Sequence, residues 1–508
     1  VRLTLPSGVP AGTTVTIKHA EALAHPPLAP ADGSVYMGNL FWANPVDVYI
    51  SKGGREPEVY EPSFTYHGFR YVEVLLQPPD NATATAVGAE PDLNTVVGVN
   101  LRSAVPEAAN LTLGTNRSSP SNLLQRLSSN SWWTETAALM SIPAGAAGRG
   151  ERNGWTGDAA FASESECFDF DTGAFYRNYL LQVGDSQGPN GEIGGGVPDQ
   201  GTAPTTHHHD QTMPMDPSWS AVFPVVAYNM WKYYNCTHCI DNEWSGLQLY
   251  YQMLAQNYSI SATTPAKWGD WNPAYPQPRT PDGHGPPMVR TISSITAAAM
   301  VVQNYDEAEE IARATGRLAD AERYNLMLFM FQQQYHNVFF DPIGMVYGDG
   351  TPTAFATALW LGVTPPALLE AVVNQFVWRL SSVGYRMNTI GFIGVRYIFE
   401  ALAKVNRTDI ALRMLNVTEY PSFGFQITNT MEPATSLWES YDVPTMHQWI
   451  DESSRDHHYS TSINTFLRKY LAGLDQPRGA TAWSIVKCRP EAAFHPTMLP
   501  SASVTLRS

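Results

Sequence analysis

The sequence predicts a multidomain β plus all-α protein: an N-terminal β-sandwich, a long helical barrel, and a short β segment at the C-terminal end. Three observations predict it. Short runs of period two fill residues 1–117, helical periods fill 118–471 with no strand alternating between them, and 472–508 is too short to bury a core of its own. In the first region Thr14-Val-Thr-Ile-Lys18 and Arg70-Tyr-Val-Glu-Val-Leu75 alternate apolar with polar side chains, and Gly, Pro, Asn and Asp separate such runs. In the second, helical periods span 220–234, 243–258, 292–315, 318–339, 366–380, 394–405, 409–415 and 459–471, joined by polar, Gly/Pro-rich loops. In the third, Ala482-Trp-Ser-Ile-Val-Lys487 reads as a strand.

Composition narrows the function classes. The 508 residues suggest two to four units at about 150 residues each. Hydrophobic residues at 44%, with 14 Trp, 24 Tyr and 20 Phe, exclude disorder as the main state. A net charge of −16, from 31 basic against 47 acidic residues, repels phosphate and excludes a nucleic-acid role, so neutral substrates fit best. No apolar run reaches the roughly 20 residues that cross a bilayer, and nothing in the sequence requires a cofactor.

Asn-x-Ser/Thr triplets at Asn81, Asn110, Asn116, Asn235, Asn257, Asn406 and Asn416 point to a secretory pathway, while the opening on Val1 inside a strand, with no leader before it, decides nothing. Of Cys167, Cys236, Cys239 and Cys488, the second and third form a lone C-x-x-C around His238. A surface disulfide or two free thiols outweighs half of a zinc site there, because no second such pair exists.

The chemistry lies in the loops. Arg149-Gly-Glu-Arg-Asn-Gly-Trp-Thr-Gly-Asp158 places two arginines, two carboxylates and a tryptophan among three glycines, which disfavour a helix interior. Sugar hydrolysis needs such a set: a proton donor, charges for hydroxyls, and a ring for the sugar's apolar face. The plain alternative is a salt-bridged turn. Thr435-Ser-Leu-Trp-Glu-Ser-Tyr-Asp442 again puts Trp beside a carboxylate and is followed by Asp456-His-His-Tyr459, while Asp216-Pro-Ser-Trp219 and Lys267-Trp-Gly-Asp-Trp271 lie between. Each of these tryptophans taken singly reads as core rather than sugar platform. His207-His-His-Asp210 reads as a solvated insertion near the pocket rim rather than a metal site.

Together these segments resemble the inverting α-L-rhamnosidases, glycoside hydrolases built on a six-hairpin helical barrel. Ile17-Lys-His-Ala-Glu21, Gly38-Asn-Leu40 and the stretch from Glu61 to Val72 resemble the family's β-sandwich strings; Ile142-Pro143 and Glu151-Arg-Asn-Gly-Trp-Thr-Gly-Asp-Ala159 match its signature loop without a gap. Trp268-Gly-Asp-Trp271, Thr389-Ile-Gly-Phe-Ile-Gly394, Tyr420-Pro-Ser-Phe-Gly424, Ser436-Leu-Trp-Glu439 and His458-Tyr459 follow in the family's order. The resemblance implies an (α/α)6 barrel over 118–471 and a further β domain after it, of which 472–508 is the beginning. It also implies exo-acting hydrolysis of terminal α-L-rhamnose in a single inverting step, with Glu151 as general acid and Glu439 as general base, and carboxyl groups roughly 6.5–9.5 Å apart.

By the same resemblance Arg149 and Asp158 bind sugar hydroxyls, and Trp155, Trp219, Trp271, Trp438 and His458 line the pocket. The partner implied is a carbohydrate. One position departs: where the family carries an Asp six residues before the acid, this chain has Gly145, within 144–148 of sequence Ala-Gly-Ala-Ala-Gly. Glu164, Glu166 and Asp169 are candidates to replace that carboxylate, against a reading of their run as a solvated acidic loop. The departure keeps two alternatives open, an inverting glycosidase of changed sugar specificity and a sugar-binding protein without activity.

Overall fold

The computed structural model describes residues 1–25, 32–79, 95–113, 122–198, 216–262, 266–274, 291–441, 453–490 and 501–506. His207–Asp210, Asp442 and the triplets at Asn81 and Asn116 lie outside the described residues.

The described residues of the first 97 form two antiparallel three-stranded sheets and a short two-stranded ribbon that pairs Ala22–Leu23 with Val35–Tyr36. β1 (Arg2–Leu5) is central between β4 (Glu58–Tyr60) and β6 (Val96–Val97), and β2 (Thr14–Ala20) is central between β3 (Val46–Ile50) and β5 (Tyr71–Gln77). Alternation fixes the faces: Leu3 and Leu5 from β1 and Val15 and Ile17 from β2 turn inward, and with Val9 they form a dry cluster edged by Tyr49, Tyr60, Val72, Val74 and Leu76. This is the sandwich expected from the period-two runs.

The barrel alternates inner and outer helices. α2 (Thr156–Asp169), α4 (Val222–Tyr234), α6 (Ser293–Ala314), α8 (Pro352–Trp360) and α10 (Phe392–Lys404) are buried over most of their length. α1 (Leu123–Ala138), α3 (Gly173–Asp185), α5 (Thr237–Asn257), α7 (Leu318–Phe339) and α9 (Pro366–Ser382) bury one face, and α11 (Thr408–Leu415) completes the outer layer. A mixed helical run over 458–471 supplies the sixth inner member: it packs on α10 and returns to α2, so the inner ring closes.

Of the twelve barrel members, periodicity missed α1, α2, α3 and α8. α2 and α8 are buried on every side, so they carry no polar stripe for a 3.6-residue period to reveal. The expected strand over 482–487 is instead mostly a turn: Ala482 and Trp483 both take positive φ, and the Trp483 ring packs on Phe168 and Tyr233. Residues 474–484 lie along α4 and α6, where Lys232 donates to the Pro477 carbonyl at 2.7 Å and Gly479 N–H to Glu310 at 2.7 Å. The chain then returns as β8 (Ala502–Leu506), antiparallel to β7 (Ala109–Leu113) just ahead of the barrel. Cys236 and Cys239 are joined as a disulfide at the start of α5, while Cys167 (buried) and Cys488 (exposed) are free.

Candidate active site

The loop between α1 and α2 is threaded against the β-sandwich module. Gly148 passes Gly68 so closely that a Cβ on Gly68 would sit 2.5 Å from the Gly148 Cα, so backbone meets backbone where any side chain would intrude. Glu21, at the end of β2, is buried beneath this crossing, accepting from Asn39 Nδ2 and from Arg455 N–H, both at 2.8 Å. Phe41 lies under the Arg149 guanidinium at 4.2 Å, and Tyr66 under that of Arg152 at 4.2 Å.

This support aims Arg149 at two carboxylates. Nη1 donates to Glu151 Oε1 at 3.1 Å and Nη2 to Glu439 Oε2 at 2.5 Å, joining residues 290 positions apart in the chain. Bridged by one guanidinium, the engaged oxygens stand no more than about 8 Å apart. Trp155 Nε1 donates to the other Glu151 oxygen at 3.3 Å, and Asn272 Nδ2 to the other Glu439 oxygen at 3.0 Å. Ser454 N–H adds a bond to Glu439 Oε2 at 3.1 Å, and Tyr459 OH holds its backbone carbonyl.

Electrostatics commit Glu439 to the ionised form. Burial alone would raise its pKa, but Arg149, His457 and the Ser454 N–H outweigh it and hold the carboxyl at about 2. His457 stands between two carboxyl groups, with Nε2 2.8 Å from Asp158 Oδ1 and Nδ1 4.0 Å from Glu439 Oε2. Burial opposes its charging, yet Glu439 and Asp158 prevail and raise its pKa.

Aromatic rings form a connected wall. Trp268 contacts Trp155, Trp219 and Trp271 at centroid separations of 5.8, 5.5 and 5.4 Å, and Trp219 stacks on Phe392 at 5.2 Å. Asp216 ties the wall together, accepting from Ser218 N–H and Trp268 N–H, each at 2.8 Å. Gly157, in the first turn of α2, allows Trp219 to lie on the helix backbone: an added Cβ would meet the indole at 2.6 Å. Gly157→Ala is therefore expected to displace Trp219 and destabilise the fold by about 1–3 kcal/mol, read as a lowered unfolding midpoint with a changed near-ultraviolet dichroism of the tryptophans.

Of the residues singled out from sequence, Glu151, Glu439, Arg149, Trp155 and Asp158 converge, with Trp219 and Trp271 in the adjoining wall. Trp438 does not join them: it packs with Ala434 and Phe425 and lies under Arg455 at 4.5 Å. His458 is buried with no hydrogen-bond partner on either ring nitrogen among the described residues, and desolvation lowers its pKa to about 4. His457, Asn272 and Ser454, none of them assigned a role from the sequence, also reach Glu439; the first two stand next to His458 and Trp271, which were.

Nor is the run after Asp158 a solvated acidic loop. It is α2, and its carboxylates are engaged inside the barrel: Glu164 with Arg396 and Lys469, Glu166 with Tyr176, Asp169 with Arg468 and Asn464. None replaces the carboxylate absent at Gly145. A Cβ there would sit 3.0 Å from Trp155 Cδ1 and 3.5 Å from Asp158 Oδ1, so the indole edge itself occupies the place of a side chain.

A closed double ring of helices thus carries one buried carboxylate, Glu439, and one half-buried, Glu151, joined by a bridging arginine beside an aromatic wall. Residues 113–471 match the bacterial alpha-L-rhamnosidase 6 hairpin glycosidase domain and residues 1–90 the bacterial alpha-L-rhamnosidase concanavalin-like domain. The chain belongs to this family.

It is 25% identical to an alpha-L-rhamnosidase of Streptomyces avermitilis over 481 residues, covering 94% of this chain and 42% of that protein. The solved alpha-L-rhamnosidase of Dictyoglumus thermophilum superposes with a TM-score of 0.80 at 26% identity, covering 96% of this chain and 50% of the other. That of Aspergillus terreus superposes at 0.82 with 21% identity, covering 99% and 54%, a likeness of fold. The chain thus spans about half the length of the relatives it matches.

Proposed function

We propose that the protein is an exo-acting α-L-rhamnosidase that hydrolyses terminal α-L-rhamnosyl residues of glycosides or polysaccharides with inversion. The observation that carries this is the single guanidinium of Arg149 holding Glu151 and Glu439 beside a tryptophan wall. Glu439, ionised and buried, serves as the base that takes a proton from the attacking water. Glu151 serves as the acid that protonates the departing oxygen. Asp158, paired with His457, supplies an acceptor for sugar hydroxyls, and the indoles face the apolar side of the ring, including the 5-methyl group that distinguishes rhamnose from sugars bearing CH₂OH.

The test is a panel of aryl glycosides followed by proton NMR. Turnover of the α-L-rhamnoside above the other sugars, with β-L-rhamnose as the first anomer released, is the expected result. The α-anomer appearing first would reject inversion, and preference for another sugar would favour the reading in which Gly145 marks a changed pocket.

The same proposal places the protein in the secretory pathway. Asn235, Asn257, Asn406 and Asn416 are exposed at or just beyond helix ends, and the Cys236–Cys239 disulfide suits an oxidising compartment. Treatment of the native protein with a peptide N-glycosidase is expected to lower its mass; an unchanged mass counts against glycosylation.

A further inference from the structure

Glu151 has two neighbours along the chain, Gly150 and Arg152, and the β-sandwich module sets an aromatic side chain against each of them. Tyr66 lies under Arg152, whose Nη2 donates to the Tyr66 carbonyl at 2.6 Å. Trp42 lies against Gly150, where an added Cβ would meet the indole Cδ1 at 2.6 Å; the ring is thereby within about 8 Å of the Glu151 Cα, allowing one Cα–Cα step. A second route reaches the same point: Glu151 is held by Arg149, Arg149 rests on Phe41, and Phe41 stacks on Trp42 with centroids 5.5 Å apart and planes 17° from parallel.

Trp42 is not a core residue, for it remains 62% exposed. Its mounting is strained. Phe41, Ala146 and Arg152 all take positive φ, a conformation that is strained for non-glycine residues and concentrates at functional sites. An exposed indole, stacked from behind and set one residue along the chain from the acid, has one evident use. The atoms beyond that oxygen are the leaving group, and they must lie on the side of the acid.

We propose that Trp42, presented by the β-sandwich module, is the stacking platform of the leaving-group subsite, and that it selects glycosides whose aglycone is a ring with an apolar face. This deepens the rhamnosidase reading and rests on it. The ring is either a planar aromatic or a second pyranose, since both offer such a face to an indole. The Phe41–Arg149 stack couples the platform to the two carboxylates, so a seated aglycone also steadies the arginine that holds the acid.

The experiment measures kcat/KM for three rhamnosides: one with a polycyclic planar aryl aglycone, one linked to a second pyranose, and methyl α-L-rhamnoside, which has no ring beyond the scissile bond. Each is assayed with the wild type, Trp42→Ala and Trp42→Phe. The expected result is that Trp42→Ala lowers the preference for a ring-bearing substrate over the methyl glycoside by roughly tenfold, chiefly through KM, and that Trp42→Phe restores most of it. Which ring-bearing substrate loses preference identifies the aglycone. Turnover of rhamnosides with preferences that Trp42→Ala leaves unaltered overturns this inference alone; a wild-type chain that turns over none of the three overturns the rhamnosidase reading and this inference with it.

Discussion

Glu439→Gln is expected to lower kcat about 10²–10⁴-fold while substrate is still bound, because an amide cannot accept the proton of an attacking water. Glu151→Gln is expected to lose as much on alkyl rhamnosides and less on aryl rhamnosides with acidic phenols, whose oxygen leaves without full protonation. Single-turnover rates and calorimetric binding, with folding confirmed by dichroism, separate these effects from unfolding. Full activity of Glu439→Gln would remove the base assignment.

The Glu439 substitution has a stability signature with a definite sign. A carboxyl held at about 2 in the fold, against about 4.3 in an unfolded chain, contributes stability above the higher value and loses it as pH falls towards the lower. Glu439→Gln is thus less stable than wild type at pH 7, and the two unfolding midpoints converge as pH falls from about 4.3 towards 2. Arg149 sets the scale: it is nine-tenths buried or more, and breaking a buried ion pair from one side costs about 3–5 kcal/mol.

Much of this site was legible because it is a string. Residues 149–158 run without a gap through the acid, its arginine, the indole and Asp158, and motif order supplied Glu439 from the far end of the barrel. What could not be read is what approaches from other segments. Asn272 and His457 reach Glu439 through backbone turns whose shape no period encodes, Asn272 itself taking a positive φ of 46°. Trp438 misled for the converse reason: adjacency to Glu439 in sequence says nothing of direction, and its ring goes to Arg455.

The fold shows the same division. α7 was read to the residue over 318–339 because one face is wet, whereas α2, buried all round, hid as a run of small and acidic residues that looked solvated.

That misread helix carries the second large effect, a fall in stability as pH rises from about 6.5 to 8. Glu166 on α2 is fully buried, and desolvation, reinforced by the nearby Glu135 of α1, pushes its pKa up to about 8; burial likewise raises Glu135 and Glu307 to about 8. A carboxyl whose folded value lies above its unfolded value of about 4.3 gives its full stability below that value and loses it until pH passes the folded value. His19 and His458, lowered to about 4, act in the opposite direction, but only below about pH 6.5. Between about pH 6.5 and 8 the three glutamates are therefore unopposed by those histidines, and His457, whose pKa is raised, adds to the decline. Glu166→Gln keeps an acceptor for Tyr176 and removes the ionisation, so its unfolding free energy is expected to fall less over this interval, by up to about 2 kcal/mol at 1.36 kcal/mol per pH unit. Chemical denaturation at pH 6.5 and 8 measures both slopes. Parallel lines for wild type and Glu166→Gln would mean that Glu166 is ionised in the folded barrel, with a cation supplied where the structure places Tyr176.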